Sequence, residues 1–213
     1  IMADGILKVG TITTSSGSGT ITLGQSGETL SVPSGATINL SNATQTGVGG
    51  LQLITSTTFS SVSSVTVDSC FTSTFRNYHV LFNADWGSVT DTDLTLQFRA
   101  GGSTDSNSNY NYQSDYINAN NNSGVAAQNN GGSSANIFDN ADTEINGRIE
   151  FYNPQLSNRN TYFESLLLGH DGSTAKKITG FGEFDNTTSF DGFILTGSSG
   201  TFTGRIQVFG YRQ

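Results

Sequence analysis

The sequence predicts an all-β protein with two parts, an N-terminal arm or shaft of short repeated strands and a C-terminal β-sandwich that is jelly-roll-like. Apolar and polar residues alternate in many short runs, and Gly, Ser or Asn separates these runs. No window shows the three-four spacing of an amphipathic helix over three turns. The composition agrees, because 26 Gly, 14 Phe and 7 Tyr accompany a charged fraction of only 12%. This profile is typical of β-rich domains and unlike that of disordered chains.

The predicted arm covers residues 1–50, and its most regular part is residues 10–40. Aliphatic residues recur there in short alternating groups, and Gly-Ser, Ser-Gly and Pro-Ser-Gly turns separate the groups. This pattern is typical of very short, tightly wound strands, as in β-solenoids and fibre shafts. The aliphatic residues are Ile12, Ile21, Leu23, Leu30, Val32, Ile38 and Leu40.

These seven side chains bury too little apolar surface to offset the cost of ordering a segment rich in Gly, Ser and Thr. We therefore expect the arm to be ordered only against another body. That body is two further copies around a threefold axis, a larger assembly or the C-terminal domain, and the seven residues are the predicted oligomerisation and docking contacts. A flexible low-complexity linker is the alternative.

Residues 51–213 form the predicted sandwich. The alternation is clearest around Tyr78, Val80 and Phe82 and again in the run from Leu94 to Phe98. About ten strands with Gly and Asn turns between them indicate two packed sheets. The other candidate strands are residues 51–54, 62–67, 148–152, 162–168, 178–184, 193–196 and 202–209.

Residues 101–136 interrupt this pattern. They are rich in Asn, Ser and Gly but include Tyr110, Tyr112 and Tyr116. A long loop inside a compact domain is usually functional or mobile, and Tyr with Asn is a mixture common on recognition loops. These three tyrosines and Trp86 form the predicted recognition surface. The alternatives are that the tyrosines form one more strand, with all three on one face, and that the single Trp is a core or interface residue.

Charge and cysteine content limit the possible partners. A net charge of −8 and a pI near 4.4 argue against a nucleic-acid surface. Cys70 is single, so no intrachain disulfide forms, and we expect it to be a small buried residue. No apolar run has the length of a membrane span and no signal peptide is evident, so we expect synthesis in a cytoplasm and no membrane partner.

The sequence predicts no enzyme. His79 and His170 are the only histidines, and no G-x-S-x-G motif accompanies them. A calcium site at Asp85, Asp91 and Asp93 is less favoured than an Asp-rich hairpin end, so no metal or cofactor is assigned. The sequence does not place any two of its later glutamates across a cleft, as a glycosidase requires. The later glutamates are Glu144, Glu150, Glu164 and Glu183.

The opening residues 2–44 resemble the start of small virion structural and tail-fibre-like proteins of bacteriophages, especially marine cyanobacterial phages. The likeness rests on the short strand Leu7-Lys8-Val9 and on TITLG-x-SG-x-T-x-x-x-PSGAT repeats at residues 20–27 and 29–37. Three later stretches are similar to the β-sandwich tips of such proteins. They are YHVLFN at residues 78–83, LTLQFRAGGS at 94–103 and GRIQVFGY at 204–211.

This resemblance implies a homotrimeric, non-enzymatic part of a phage virion, in which the arm docks or forms a shaft and the sandwich faces outward. Its expected task is host-surface attachment or capsid decoration, as a tail fibre, a short head fibre or a decoration protein. The expected partners are its own copies, other virion proteins and, as a further candidate, a host-surface glycan. The alternative function is a free carbohydrate-binding module.

Overall fold

The computed structural model describes residue 12 and residues 22–23, 26–29, 31–37, 50–87, 91–120, 123–171 and 174–212. Within these residues the protein is all-β, which confirms the predicted fold class. The chain divides into two compact units, Ile1–Val48 and Gly49–Gln213.

Thirteen strands lie in the described residues. They are β1 (Leu51–Val62), β2 (Ser64–Val67), β3 (Asn77–Asp85), β4 (Thr92–Ala100), β5 (Ser103–Thr104), β6 (Tyr110–Asn118), β7 (Ser123–Gly132), β8 (Ala135–Ala141), β9 (Glu144–Tyr152), β10 (Thr161–Asp171), β11 (Thr174–Phe184), β12 (Gly192–Gly197) and β13 (Phe202–Tyr211).

The strands form two antiparallel sheets. The broad sheet has eight strands in the order β1-β13-β3-β9-β10-β11-β6-β7. The narrow sheet has the order β2-β12-β4-β5, and β8 also pairs with β4. All pairings in both sheets are antiparallel, so each strand alternates one inward and one outward side chain.

The core lies between the two sheets and is rich in aromatic residues. Phe151 of the broad sheet has its ring centroid 5.5 Å from that of Phe98 and 5.2 Å from that of Phe193, both in the narrow sheet. Edge-to-face and stacked rings of this kind add to the stabilisation from apolar burial. Cys70 is fully buried against this core, as expected, and burial raises the pKa of its thiol.

Strand β8 covers the inner face of the broad sheet beyond β9. Its Phe138 ring is fully buried and leaves no room for a side chain at Gly169 of β10. The buried Lys176 of β11 also contacts β8, because its ammonium donates to the carbonyl of Asp139 at 2.7 Å. The two-layer packing therefore continues across strands β10, β11 and β6.

The prediction of a long loop at residues 101–136 is wrong, and the alternative, that the three tyrosines lie on one more strand, is correct. Its described residues contain β5, β6, β7 and the start of β8. Strand β6 pairs with β11 on one side and β7 on the other, and its inward positions include Tyr110 and Ser114. The polar composition reflects a position at the edge of the sheet, where β7 is largely exposed and needs few apolar side chains.

The short-strand arm is only partly within the described residues. None of the described residues between 12 and 37 lies in a strand, and the aliphatic side chains of Ile12, Leu23 and Val32 are exposed in the single chain. One predicted turn is present, since the Ala36 amide donates to the Pro33 carbonyl at 3.1 Å and Gly35 has φ +85°. The other predicted contacts, Ile21, Leu30, Ile38 and Leu40, lie outside the described residues.

Candidate ligand-binding face

Two of the four predicted recognition residues belong to the core. Trp86 is only 3% exposed, and its ring stacks on Phe202 at 4.8 Å. Tyr110 is fully buried, and its hydroxyl donates to the Asp105 carbonyl while accepting from the Phe98 amide at 2.8 Å. The recognition role predicted for Trp86 and Tyr110 is therefore wrong, because neither ring reaches the surface.

Tyr112 and Tyr116 are half-buried and pack against the core. The Tyr116 ring centroid lies 5.4 Å from the Lys176 ammonium, a distance typical of a cation–π contact. The structure thus places the three tyrosines on one strand, but it does not bring them together with Trp86 as a surface.

A different group of aromatic side chains lies on the outer face of the broad sheet. The register of β9, β10 and β11 places Tyr152, Tyr162 and Glu183 side by side in one row. The neighbouring row holds Glu150, Glu164 and Phe181. Directly opposite residues in antiparallel strands have Cβ atoms about 5 Å apart, so rings and carboxylates alternate over a small area.

Part of this face is concave. Tyr162 and Phe181 are 46% and 60% exposed, and with Asn111, Gln113 and Glu183 they line a groove of about 340 Å³, here called the aromatic groove. Tyr112, one of the predicted recognition residues, also lines it. Such exposure is unusual for aromatic side chains of a sheet, unless they contact a ligand or a partner. The rings offer flat apolar surface beside amide and carboxylate groups that hydrogen-bond hydroxyls.

Amide groups hold the Glu183 carboxylate in place. Asn111 Nδ2 donates to Glu183 Oε1 at 3.3 Å, and Asn160 Nδ2 donates to Oε2 at 3.4 Å. Asn160 also donates to Asp185 at 2.9 Å. A carboxylate positioned in this way keeps lone pairs available for ligand hydroxyls.

Beside the groove, Glu150 accepts hydrogen bonds from two ring side chains. The Tyr211 hydroxyl donates to Glu150 Oε2 at 3.0 Å, and His79 Nδ1 lies 2.6 Å from Oε1. Burial and the bond to Glu150 raise the pKa of Tyr211 to about 12. Burial, followed by the negative charges of Glu164 and Glu150, also raises the pKa of Tyr152. Both phenols therefore remain neutral at ordinary pH, and Tyr211 remains a donor to Glu150.

The structure shows where the four glutamates considered for a glycosidase site lie. Glu150 and Glu164 are directly opposite on β9 and β10, and Glu183 is on the next strand. They share an open sheet face, in which Glu150 is hydrogen-bonded to Tyr211 and lies 2.6 Å from His79 Nδ1. Glu144 lies three rows from Glu150, at the start of β9.

Two of the three aspartates considered for calcium accept hydrogen bonds from backbone amides instead. Asp85 Oδ1 accepts from the Gly87 amide at 2.7 Å, and Asp93 Oδ1 accepts from the Asn140 amide at 3.2 Å. Asp91 has φ 53°, and its amide donates to Asp142. No group of three or more His, Cys, Asp or Glu in the described ranges is placed to hold a metal ion.

Of the residues that line the aromatic groove, the sequence analysis named only Tyr112, although the sequence contained a signal for Tyr162 and Phe181. Residues 162–168 and 178–184 were candidate strands, and alternation within them puts Tyr162 and Phe181 on the face opposite to Phe163 and Ile178. Aromatic residues at outward positions of both strands indicate a surface with a partner or ligand.

Comparison with known proteins gives no relative: no family model matches the chain, and neither a curated protein nor a solved structure matches it. No helix in the described ranges has the length and apolar character to cross a membrane.

Proposed function

We propose that the protein is a non-enzymatic structural component of a phage virion, a homotrimer that presents its sandwich for host-surface attachment or capsid decoration. The strand order is the observation that carries this proposal. Without β5, β6, β7, β10 and β11, here treated as insertions, the broad sheet has the order β1-β13-β3-β9 and the narrow sheet has the order β2-β12-β4-β8. We interpret this order as a jelly roll, an architecture common in viral capsid and lectin domains.

The arm supports the trimeric part of the proposal. Ile12, Leu23 and Val32 are exposed aliphatic residues in a segment rich in Gly, Ser and Thr. Contact with two further copies would remove this apolar surface from water and provide the stabilisation that the segment lacks alone.

The mass of the full chain in solution tests the trimer. We expect a trimer that becomes a monomer when Ile21, Leu23 and Leu30 are all replaced by Ser, while the circular dichroism spectrum of the sandwich is retained. Replacement of the exposed Leu81 and Leu168 by Ser removes apolar side chains from the sheet face and serves as the control, with the trimer intact. An unchanged mass in the triple variant would contradict the proposal. Antibody labelling of intact particles then tests the virion location.

A free carbohydrate-binding module is the second candidate, and the aromatic groove favours it. Exposed rings next to amide and carboxylate groups suit a sugar, which has apolar C–H faces and hydroxyl edges. A stable monomer that binds neutral oligosaccharides, and loses this binding in Phe181→Ala, would favour the module over the virion component. A trimer that binds the same sugars would instead assign the groove to host attachment.

A further inference from the structure

We infer that a second cleft, at one end of the sandwich, binds the carboxylate or sulfate group of an acidic glycan. This arginine cleft has a volume of about 440 Å³ and lies between the β2–β3 loop and the β9–β10 loop. The first loop contributes Ser73, Thr74, Phe75 and Arg76, and the second contributes Gln155, Leu156, Asn158 and Arg159. This inference depends on the proposed attachment function only in naming a host-surface glycan as the source of the anionic group.

The two loops are fixed to each other by direct hydrogen bonds. The Asn153 amide donates to the Arg76 carbonyl at 3.1 Å, and Arg76 Nε donates to Asn153 Oδ1 at 2.8 Å. Gln155 Nε2 donates to the Phe71 carbonyl at 3.1 Å. Because these bonds orient both loops before a ligand arrives, little conformational entropy is lost on binding.

Each loop is also fixed to the sandwich. The buried Tyr78 hydroxyl donates to the Thr72 carbonyl, accepts from the Thr72 amide at 2.7 Å and lies 3.1 Å from the Phe75 carbonyl. On the other loop, the Phe190 amide donates to the Pro154 carbonyl at 2.8 Å. The arginine cleft is therefore a preformed feature of the fold.

The charges in the cleft are not neutralised by the protein. Arg76 and Arg159 form no ion pair in the described part of the chain, whereas Arg99 pairs with Asp68 at 2.7 Å. The bond to Asn153 uses Arg76 Nε and leaves the terminal nitrogens of that guanidinium for a ligand. Two such cations in one cleft are notable in a chain with 9 Lys and Arg against 17 Asp and Glu.

This donor set matches one ligand chemistry. Guanidinium groups bind carboxylate and sulfate oxygens through paired N–H donors, and the hydroxyls of Ser73 and Thr74 add further donors. Phe75 and Leu156 supply apolar wall for a sugar ring. Since the chain carries a net charge of −8, general attraction does not explain anion binding, and these local donors must provide it.

Calorimetric titration of the full chain tests the inference with three oligosaccharides of equal length: a uronic-acid oligomer, a sulfated oligomer and a neutral oligomer. We expect at least one acidic oligomer to bind about tenfold more tightly than the neutral one. Arg159→Gln should remove this preference, because it deletes one of the two cations that line the cleft. It should leave the sandwich folded, since Arg159 is exposed and forms no ion pair among the described residues. Arg205→Gln, which makes the same charge change on the exposed face of β13, is the control and should retain it.

The comparison of the two acidic oligomers identifies the source of the anion, and inorganic sulfate should compete with either. Equal affinity for acidic and neutral oligomers would overturn the inference, as would full acidic preference in Arg159→Gln or binding of inorganic sulfate without binding of any acidic oligomer. The proposed function fails separately, through an unchanged mass of the triple Ser variant or absence from the particle. Thermal melts of each variant confirm that the sandwich is folded.

Discussion

Replacing two aromatic residues, Trp86 and Phe181, separates the roles of core and surface. Trp86 is 3% exposed and stacks on Phe202, whereas Phe181 is 60% exposed at the aromatic groove. We expect Trp86→Ala to destabilise the fold strongly and to affect sugar binding only through unfolding. Phe181→Ala should have the opposite profile, with a small loss of stability and a large loss of binding.

The structure sets the size of the two effects. Removing a buried Trp side chain costs about 3–5 kcal/mol of unfolding free energy, which lowers Tm by about 6–20 °C in a domain of this size. Phe181 buries about two fifths of a side chain of about 200 Å², or about 80 Å². At about 25 cal/mol per Å², its removal costs at most about 2 kcal/mol.

Thermal melts followed by circular dichroism, together with sugar titration of each folded variant, measure both quantities. Trp86 is the only Trp, so its fluorescence in the unaltered protein is a further check. We expect emission typical of a buried indole, with little quenching by acrylamide and no shift when a sugar binds. If Trp86→Ala melted within about 2 °C of the unaltered protein and lost sugar binding, the assignment of Trp86 to the core would be refuted.

Three further predictions concern stability. Gly147→Ala should lower Tm strongly, because a methyl group there would overlap the backbone carbonyl oxygen of Leu166; unchanged melting would contradict this register. Tyr78→Phe should cost about 1–3 kcal/mol, measured by urea unfolding, since its hydroxyl satisfies buried backbone groups of the β2–β3 loop. For Tyr211, whose pKa is raised to about 12, the folded state favours the neutral phenol, so its contribution is complete below pH 10 and is lost as pH rises through 12. Absorbance titration should detect this late ionisation, and Glu150→Gln should bring it to lower pH.

The strands of the sandwich were predictable because their inward positions carry large apolar side chains. Around Tyr78, Val80 and Phe82, every second residue is buried, and the same holds from Leu94 to Phe98. Such alternation depends only on one sheet face being in the core, which is a local property of the sequence. For this reason each predicted candidate strand lies within a strand of the structure, except residues 62–67, which span the end of β1 and the whole of β2.

Strands β6 and β7 could not be predicted from apolar alternation in the same way. They lie at the edge of the broad sheet, and the β7 sequence SGVAAQNNGG has no apolar alternation. Its pairing depends on backbone hydrogen bonds to β6, and β6 in turn pairs with β11, which is distant in sequence. Composition alone therefore favoured a loop where the tertiary structure imposes a strand.

The candidate site depends on register, which a single sequence does not specify. Tyr162 and Glu183 are 21 positions apart and lie in one row only because β10 and β11 pair antiparallel with Tyr162 opposite Glu183. A shift of one residue would turn Phe181 into the core and expose Ile178. The buried Phe163, Leu167 and Ile178 prevent that shift, since their burial fixes which face points outward.

The position of the aromatic groove also explains how a common sandwich could acquire a specific surface. The groove residues lie on β6, β10 and β11, which are insertions relative to the proposed eight-strand jelly roll. Strand β8 covers their inner face with Phe138, so the outer face is free to vary without loss of the core. Substitutions at outward positions of these strands should therefore change ligand preference at little cost in stability, whereas substitutions at inward positions of β3, β9 and β13 should unfold the domain.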